Sequence, residues 1–228
     1  MHGMHGRMDL KESVKIALKR YDTGDLFSNL PTMPKASVLI PLFVRGQELH
    51  VLMTLRSPQL KSNAGEVCFP GGKSDPEDQD EVDTALREAK EEVGLPPEQV
   101  EVVCKLFPII NKRGLLVTPV VAFIEESFEP QPNPDEVSEV FTVPLDFFRQ
   151  EAAHSAYPVP GIQGPVHSFL YPDPSTGRQQ HIWGLTALLA ILVATLGLEK
   201  KPEFTVGFDL ENPLPFFQRS IDHRLSKL

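Results

Sequence analysis

The spacing of apolar residues along this chain switches between a helical and an extended period. Leu10, Val14, Ile16, Ala17 and Leu18 recur at helical spacing, which predicts a leading helix over residues 10–20. A linker containing Gly, Asp, Asn and Pro follows over 22–34. Residues 36–44 and 48–55 are β-rich runs separated by Arg45-Gly46-Gln47, the residues of a hairpin turn. Residues 66–69 form a short extended piece that runs into Pro70-Gly71-Gly72, read as a glycine turn. The helical period then returns over 80–93. On a wheel of about 100° per residue, Val82, Leu86, Ala89 and Val93 fall within about 60° and make a core-facing stripe. Gly94 stands where a left-handed cap is wanted, and Pro96 stops the helix.

Beyond it, residues 100–107, 115–124 and 137–143 are strand-like, and 145–150 resembles a short helix. The Pro/Gly-rich stretch 156–164 is expected to be a loop. Residues 166–171 and 178–183 flank a turn at 172–177, and an apolar helix follows over 185–196. From Lys200 onward there is no clear period. This order predicts an α/β (α+β) fold, a mixed sheet between helices, over residues 35–198. A helix and linker precede it at 1–34, and a tail follows at 199–228.

Composition narrows the function. Of 228 residues, 41% are apolar and 23% charged, ordinary for a globular protein. A formal net charge of −9 argues against a nucleic-acid partner, since phosphate backbones are held by clustered Lys and Arg. A small phosphorylated substrate remains open, because a divalent cation can bridge it to an acidic site. Cys68 and Cys104 belong to no disulfide framework or CxxC pattern, and read as buried, inert thiols in a reducing compartment. His2 and His5 sit in a terminal His-Gly repeat, and the other five histidines fit no ligand spacing. No secretory signal pattern is present, and the apolar run 186–198 falls short of the about 20 residues that a bilayer needs, so no membrane insertion is expected. Ser226-Lys227-Leu228 reads as a peroxisomal address, which makes a peroxisomal import receptor a partner and the peroxisomal matrix the destination.

The candidate chemistry lies on the helix over 80–93. Glu88, Glu91 and Glu92 stand at i, i+3 and i+4, where like charges cost about 0.2–0.5 kcal/mol per pair. Arg87 can pair with Glu91 and with Asp83, but no cation on the helix relieves Glu88 or Glu92. Converging carboxylates without a counter-charge suit a hard cation such as Mg2+. A solvated acidic face would show the same spacing; the preceding Gly71-Gly72 tips the reading, because a glycine turn lets backbone approach a ligand and could lend the Gly72 carbonyl.

With these residues the sequence resembles the Nudix hydrolase family. Arg87-Glu88-Ala89-Lys90-Glu91-Glu92-Val93-Gly94-Leu95 matches the second half of its box. The first half departs: five residues beyond Gly72 stands Asp78 instead of glutamate, one residue further from Arg87 than the box prescribes. The resemblance implies the Nudix fold with a loop-helix-loop motif, and hydrolysis of a nucleoside diphosphate linked to another group. It also implies metal binding by Glu88, Glu91, Glu92 and Gly72, with Mg2+ or Mn2+ as cofactor, and Arg87 as the residue that orients the glutamates. Upstream, Arg56, Ser57, Leu60, Gly65, Glu66, Phe69, Pro70, Gly71 and Gly72 resemble the added signature of coenzyme A diphosphatases, with Asn63 where His is often found. Coenzyme A or its thioesters would then be the small-molecule substrate, split into 3′,5′-ADP and 4′-phosphopantetheine or its acylated form. Arg56, Ser57, Lys61, Gly65, Glu66, Phe69 and Gly71 would form its binding set, with Arg56 and Lys61 for the 3′-phosphate. The resemblance leaves open NADH or ADP-ribose as substrate, a non-catalytic binding module, and whether Glu91, Glu92, Glu136 or Glu139 is the base.

Overall fold

The computed structural model describes residues 8–227. The stretch before the expected sheet already packs on it: α1 (Leu10–Lys19) lays Val14, Ala17 and Leu18 into the core, and Thr23 donates its N–H to the carbonyl of Lys105 at 2.9 Å. β1 (Lys35–Arg45) and β2 (Glu48–Arg56) form the expected hairpin, turned at Gly46 with φ +62°. β3 (Val67–Cys68), β4 (Gly71–Lys73), α2 (Glu81–Val93), β5 (Glu101–Lys105), β6 (Ile109–Ile110), β7 (Leu116–Phe123) and β8 (Val137–Pro144) complete the main unit. Its sheet runs β3-β2-β1-β7-β5, with β8 on β2, β4 on β1 and β6 on β7. β1 and β7 are parallel and the other pairs antiparallel, so the sheet is mixed as expected.

The sheet is buried on both faces, which is why β1 and β7 read as continuous apolar runs rather than alternating ones. On one face Leu39, Phe43, Leu52, Val120 and Ala122 meet Ala85, Ala89 and Val93 of α2. On the other, Ile40, Leu42, Val51, Met53 and Val121 meet α1 and α3 (Gly184–Leu198), a helix apolar all round and accordingly buried. Among the described residues no helix is long and apolar enough to cross a membrane.

Three expectations need correction. Gly71-Gly72 is no turn but the strand β4, paired with Val38 and Ser37 of β1. The stretch expected as a loop at 156–164 begins with β9 (His154–Pro158), which pairs with β10 (Pro165–Pro172) in a second sheet closed by β11 (Gln179–Trp183). Pro158 is tolerated there because an edge strand has N–H positions that need no partner. The tail without a period carries α4 (Leu214–Leu225), whose Phe216, Phe217 and Ile221 are buried. The stretches set apart as leader and tail therefore pack into the same body as the sheet.

The second sheet is tied to the tail by histidines. His154 stacks on Phe204 and shares a 2.9 Å hydrogen bond with His167, whose other ring nitrogen faces the carbonyl of Val206 at 3.1 Å. Burial pushes the pKa of His154 down to about 4 and lowers that of His167, so both rings are neutral packing groups. Cys68 and Cys104 are free; burial raises both thiols, Cys104 up to about 12, in keeping with inert roles. His2, His5 and Leu228 lie outside the described residues. Ser226 and Lys227 continue the last turn of α4, donating their N–H groups to the carbonyls of Asp222 and Arg224.

Candidate active site

Capping fixes the helix that carries the carboxylates. The Asp80 side chain accepts the Asp83 N–H at 2.9 Å, and Gly94 adopts the left-handed conformation with its N–H on the Lys90 carbonyl. The orphan carbonyls of Glu92 and Val93 are met by the N–H groups of Asn133 and Gln131, each at 2.9 Å. The loop that satisfies them continues to Glu136, whose own carbonyl accepts the Ser57 N–H at 2.9 Å. Closing the end of α2 thus brings a third carboxylate to it. Oxygens of Glu88, Glu92 and Glu136 all lie within 4.8 Å of one another.

Glu91 is not among them. Its side chain is 50% exposed and paired with Arg87 at 3.3 Å. Glu136, expected only as a candidate base, joins Glu88 and Glu92 in the cluster. Glu139, the other base weighed there, is held by the Gln180 amide at 2.9 Å.

Burial sets the chemistry of the cluster. The Glu92 side chain is 3% exposed, and desolvation pushes its pKa up to about 8 despite an N–H from Gly71 at 3.1 Å and Arg56 at 3.9 Å. Glu88 is raised as well, again chiefly by burial. Two carboxylates that resist ionisation, gathered with a third, are what a divalent cation would relieve. The donor set is all oxygen, which fits Mg2+ or Mn2+.

Both glycines are forced by close approach. A Cβ on Gly72 would lie 2.5–2.8 Å from the carboxyl of Glu88, and one on Gly71 would strike the backbone of Ser37 and Val38. Gly72 is thus the floor against which Glu88 is seated.

Arg87 organises the rest. Its Nε and Nη2 grip both oxygens of Asp78 at 2.9 and 3.0 Å, Nη2 also reaches the Lys73 carbonyl at 3.0 Å, and Nη1 serves Glu88 at 3.1 Å and Glu91. The guanidinium holds Asp78 well below the usual carboxylate range. Asp78, displaced by one residue from the family's glutamate, is therefore the partner of Arg87; Asp83, expected in that place, instead accepts the Gln79 N–H. The added residue is absorbed by a turn in which Asp75 donates its N–H to Asp78 at 2.8 Å. Arg87→Lys, which keeps charge but loses the fork, is expected to lower kcat about ten-fold while the melting temperature changes little, as read by paired kinetics and thermal melts.

The expected substrate set divides. Arg56 reaches Glu92, and the loop 57–65 returns to it, with Gly65 and Arg56 joined by an N–H to carbonyl bond at 3.2 Å and Arg56 donating to the Glu66 carbonyl at 2.9 Å. Lys61 and Gly65 are exposed. Ser57 is buried and its hydroxyl accepts the Gln59 N–H, so it shapes the loop and positions Glu136. Phe69 is 2% exposed and packs within the main core. A cavity of about 360 Å³ lies at the other end of the box, lined by Lys35, Ser74, Asp78, Thr84 and Lys105, and does not include the three glutamates.

A mixed sheet with a carboxylate-bearing helix seated on a glycine strand is the frame of a pyrophosphate-cleaving hydrolase, and residues 33–160 match the NUDIX domain. The chain belongs to the Nudix family and is a Nudix hydrolase, a class that acts on pyrophosphate bonds with divalent metals. It is 47% identical over 97% of its length to a protein of Mus musculus named peroxisomal coenzyme A diphosphatase NUDT7, of which it covers 95%. With Nudix hydrolase 15, mitochondrial, of Arabidopsis thaliana it shares 40% identity over 75% of this chain and 61% of that protein. Nudix hydrolase 22, chloroplastic, of the same plant is 39% identical over 85% of this chain and 66% of its own length.

Proposed function

We propose that this enzyme hydrolyses the diphosphate of coenzyme A and its thioesters, releasing 3′,5′-ADP and 4′-phosphopantetheine or its acylated form, with Mg2+ as the working cation and Mn2+ as a substitute. The observation that carries the reading is the junction of Arg56 with Glu92, which attaches the loop 57–65 directly to the carboxylate cluster. The name of the mouse relative supports it.

Glu88, Glu92 and Glu136 would hold the cation, which neutralises the charge of the diphosphate and acidifies water beside it. Arg87 keeps Glu88 aimed, Gly71 and Arg56 polarise Glu92, and Ser57 holds the loop of Glu136. The Arg56 guanidinium, beside Glu92, would meet a phosphate oxygen. Water adds to one phosphorus, the bridging P–O bond breaks, and the proton of the water goes to a carboxylate of the cluster. Glu91 and Glu139 are poorly suited to take it, being held by Arg87 and Gln180. The terminal Ser226-Lys227-Leu228 is proposed as the feature an import receptor reads, with the peroxisomal matrix as destination.

Mass spectrometry after incubation with coenzyme A and Mg2+, beside NADH and ADP-ribose, tests the substrate. The expected products are 3′,5′-ADP and phosphopantetheine. Faster turnover of NADH or ADP-ribose would overturn the coenzyme A reading and leave the enzyme class standing.

A further inference from the structure

The proposed substrate carries a phosphate, the 3′-phosphate, that the metal does not hold. Arg56 was the natural residue for it from the sequence, yet its position 3.9 Å from Glu92 commits it to the diphosphate end. The 3′-phosphate must therefore meet other cations. Among the described residues Lys61, Lys112 and Arg113 form no ion pair. All three are exposed.

They come from two separate segments that the fold joins. Lys61 lies within the loop 57–65, whose two ends meet at Arg56. Lys112 and Arg113 form the tip of the β6–β7 connection. That tip is held by the Asn111 side chain, which accepts the N–H groups of Arg113 at 2.9 Å and Leu115 at 3.1 Å. From this tip Arg113 donates through Nη2 to the Asn63 side chain at 3.1 Å. Asn63 itself sits in the left-handed conformation at φ +52°, which an asparagine tolerates better than most residues. One guanidinium nitrogen is thus spent on anchoring the tip to the loop, while Nε and Nη1 keep their donors.

We infer that Arg113, docked on Asn63 and assisted by Lys61 and Lys112, binds the 3′-phosphate of the substrate and is the residue that distinguishes coenzyme A from nucleoside diphosphates lacking that group. The inference rests on the coenzyme A reading above. Cations on this loop and on the tip docked against it would also help an acidic protein receive a substrate bearing several negative charges.

Arg113→Ala is expected to raise KM for coenzyme A about ten-fold with kcat nearly unchanged, and to alter KM for 3′-dephospho-coenzyme A less than about two-fold. Arg113→Lys, which keeps the charge and loses the Asn63 contact, should fall between. Equal losses for both esters, or none for either, would overturn the assignment. Turnover of coenzyme A by the unaltered enzyme tests the reading beneath it separately. Should neither ester be cleaved, titration calorimetry with 3′,5′-ADP against 5′-AMP still decides: affinity lost in the variant for 3′,5′-ADP alone supports Arg113, and equal loss or no loss rejects it.

Discussion

Gly72→Ala is expected to yield a folded protein with kcat reduced about 10²-fold or more, whereas Gly71→Ala, one residue away, is expected to lose stability first. The difference lies in what each new methyl would meet. At position 72 it meets the far end of Glu88, a flexible side chain that can swing aside. Swinging aside unseats one carboxylate of the cluster and costs the strand little. At position 71 it meets the Ser37 and Val38 backbone of β1, which cannot move without breaking the β1–β4 pairing. Overpacking of that kind costs about 1–3 kcal/mol, or roughly 2–4 °C of melting temperature per kcal/mol in a chain of this size. Thermal melts and kcat measured on both variants check the pair. A Gly72→Ala enzyme with full activity would mean that Glu88 does not need its seat.

Glu92→Gln should abolish turnover, by about 10²–10³-fold, and yet make the metal-free protein more stable at neutral pH. Burial raises the pKa of Glu92 in the folded chain to about 8, against an ordinary value of 4.5. The folded state therefore binds this proton more tightly than the unfolded one. The stability it contributes is complete below about 4.5 and is lost as pH rises through about 8. Metal-free protein should melt about 5 °C or more lower at pH 8.5 than the same side chain, kept neutral, would allow. Mg2+ should reverse that loss in the parent protein, since the cation takes the place of the proton. The glutamine variant carries no charge there, so it should show neither the pH slope nor the Mg2+ rescue. Melting curves across pH 5–9 with EDTA or Mg2+ would reject the assignment if both proteins behaved alike.

How much of this could be read from the chain depended on whether partners were near in sequence. α2 was legible because its apolar stripe, Gly94 and Pro96 are local signals that agree, and β1, β2 and β7 because their burial on both faces leaves unbroken apolar runs. Asp78 was obscured by a single added residue that shifts it against the family spacing, although the Asp75–Asp78 turn absorbs the shift. Glu136 could not be drawn into the cluster because its place depends on Asn133 and Gln131 capping α2 across forty residues of chain. The signal that bears on it is the unpaired end of a helix at Gly94, which some loop had to satisfy. Wheel geometry puts Glu91 beside Glu88 and Glu92 without showing its pairing with Arg87. α4 escaped notice because Pro213 and Pro215 hide a short apolar face whose Phe217 and Ile221 are meaningful only against the body they pack on.

The burial of the sheet on both faces bears on how this protein can be dissected. The segment 33–160 that matches the family carries α2 and every glutamate of the cluster, and it would be the natural piece to excise. That piece lacks α1 and α3, so Ile40, Leu42, Val51, Met53 and Val121 would be left as one continuous wet hydrophobic surface. A minimal fragment holding all the chemistry should therefore precipitate or self-associate on expression.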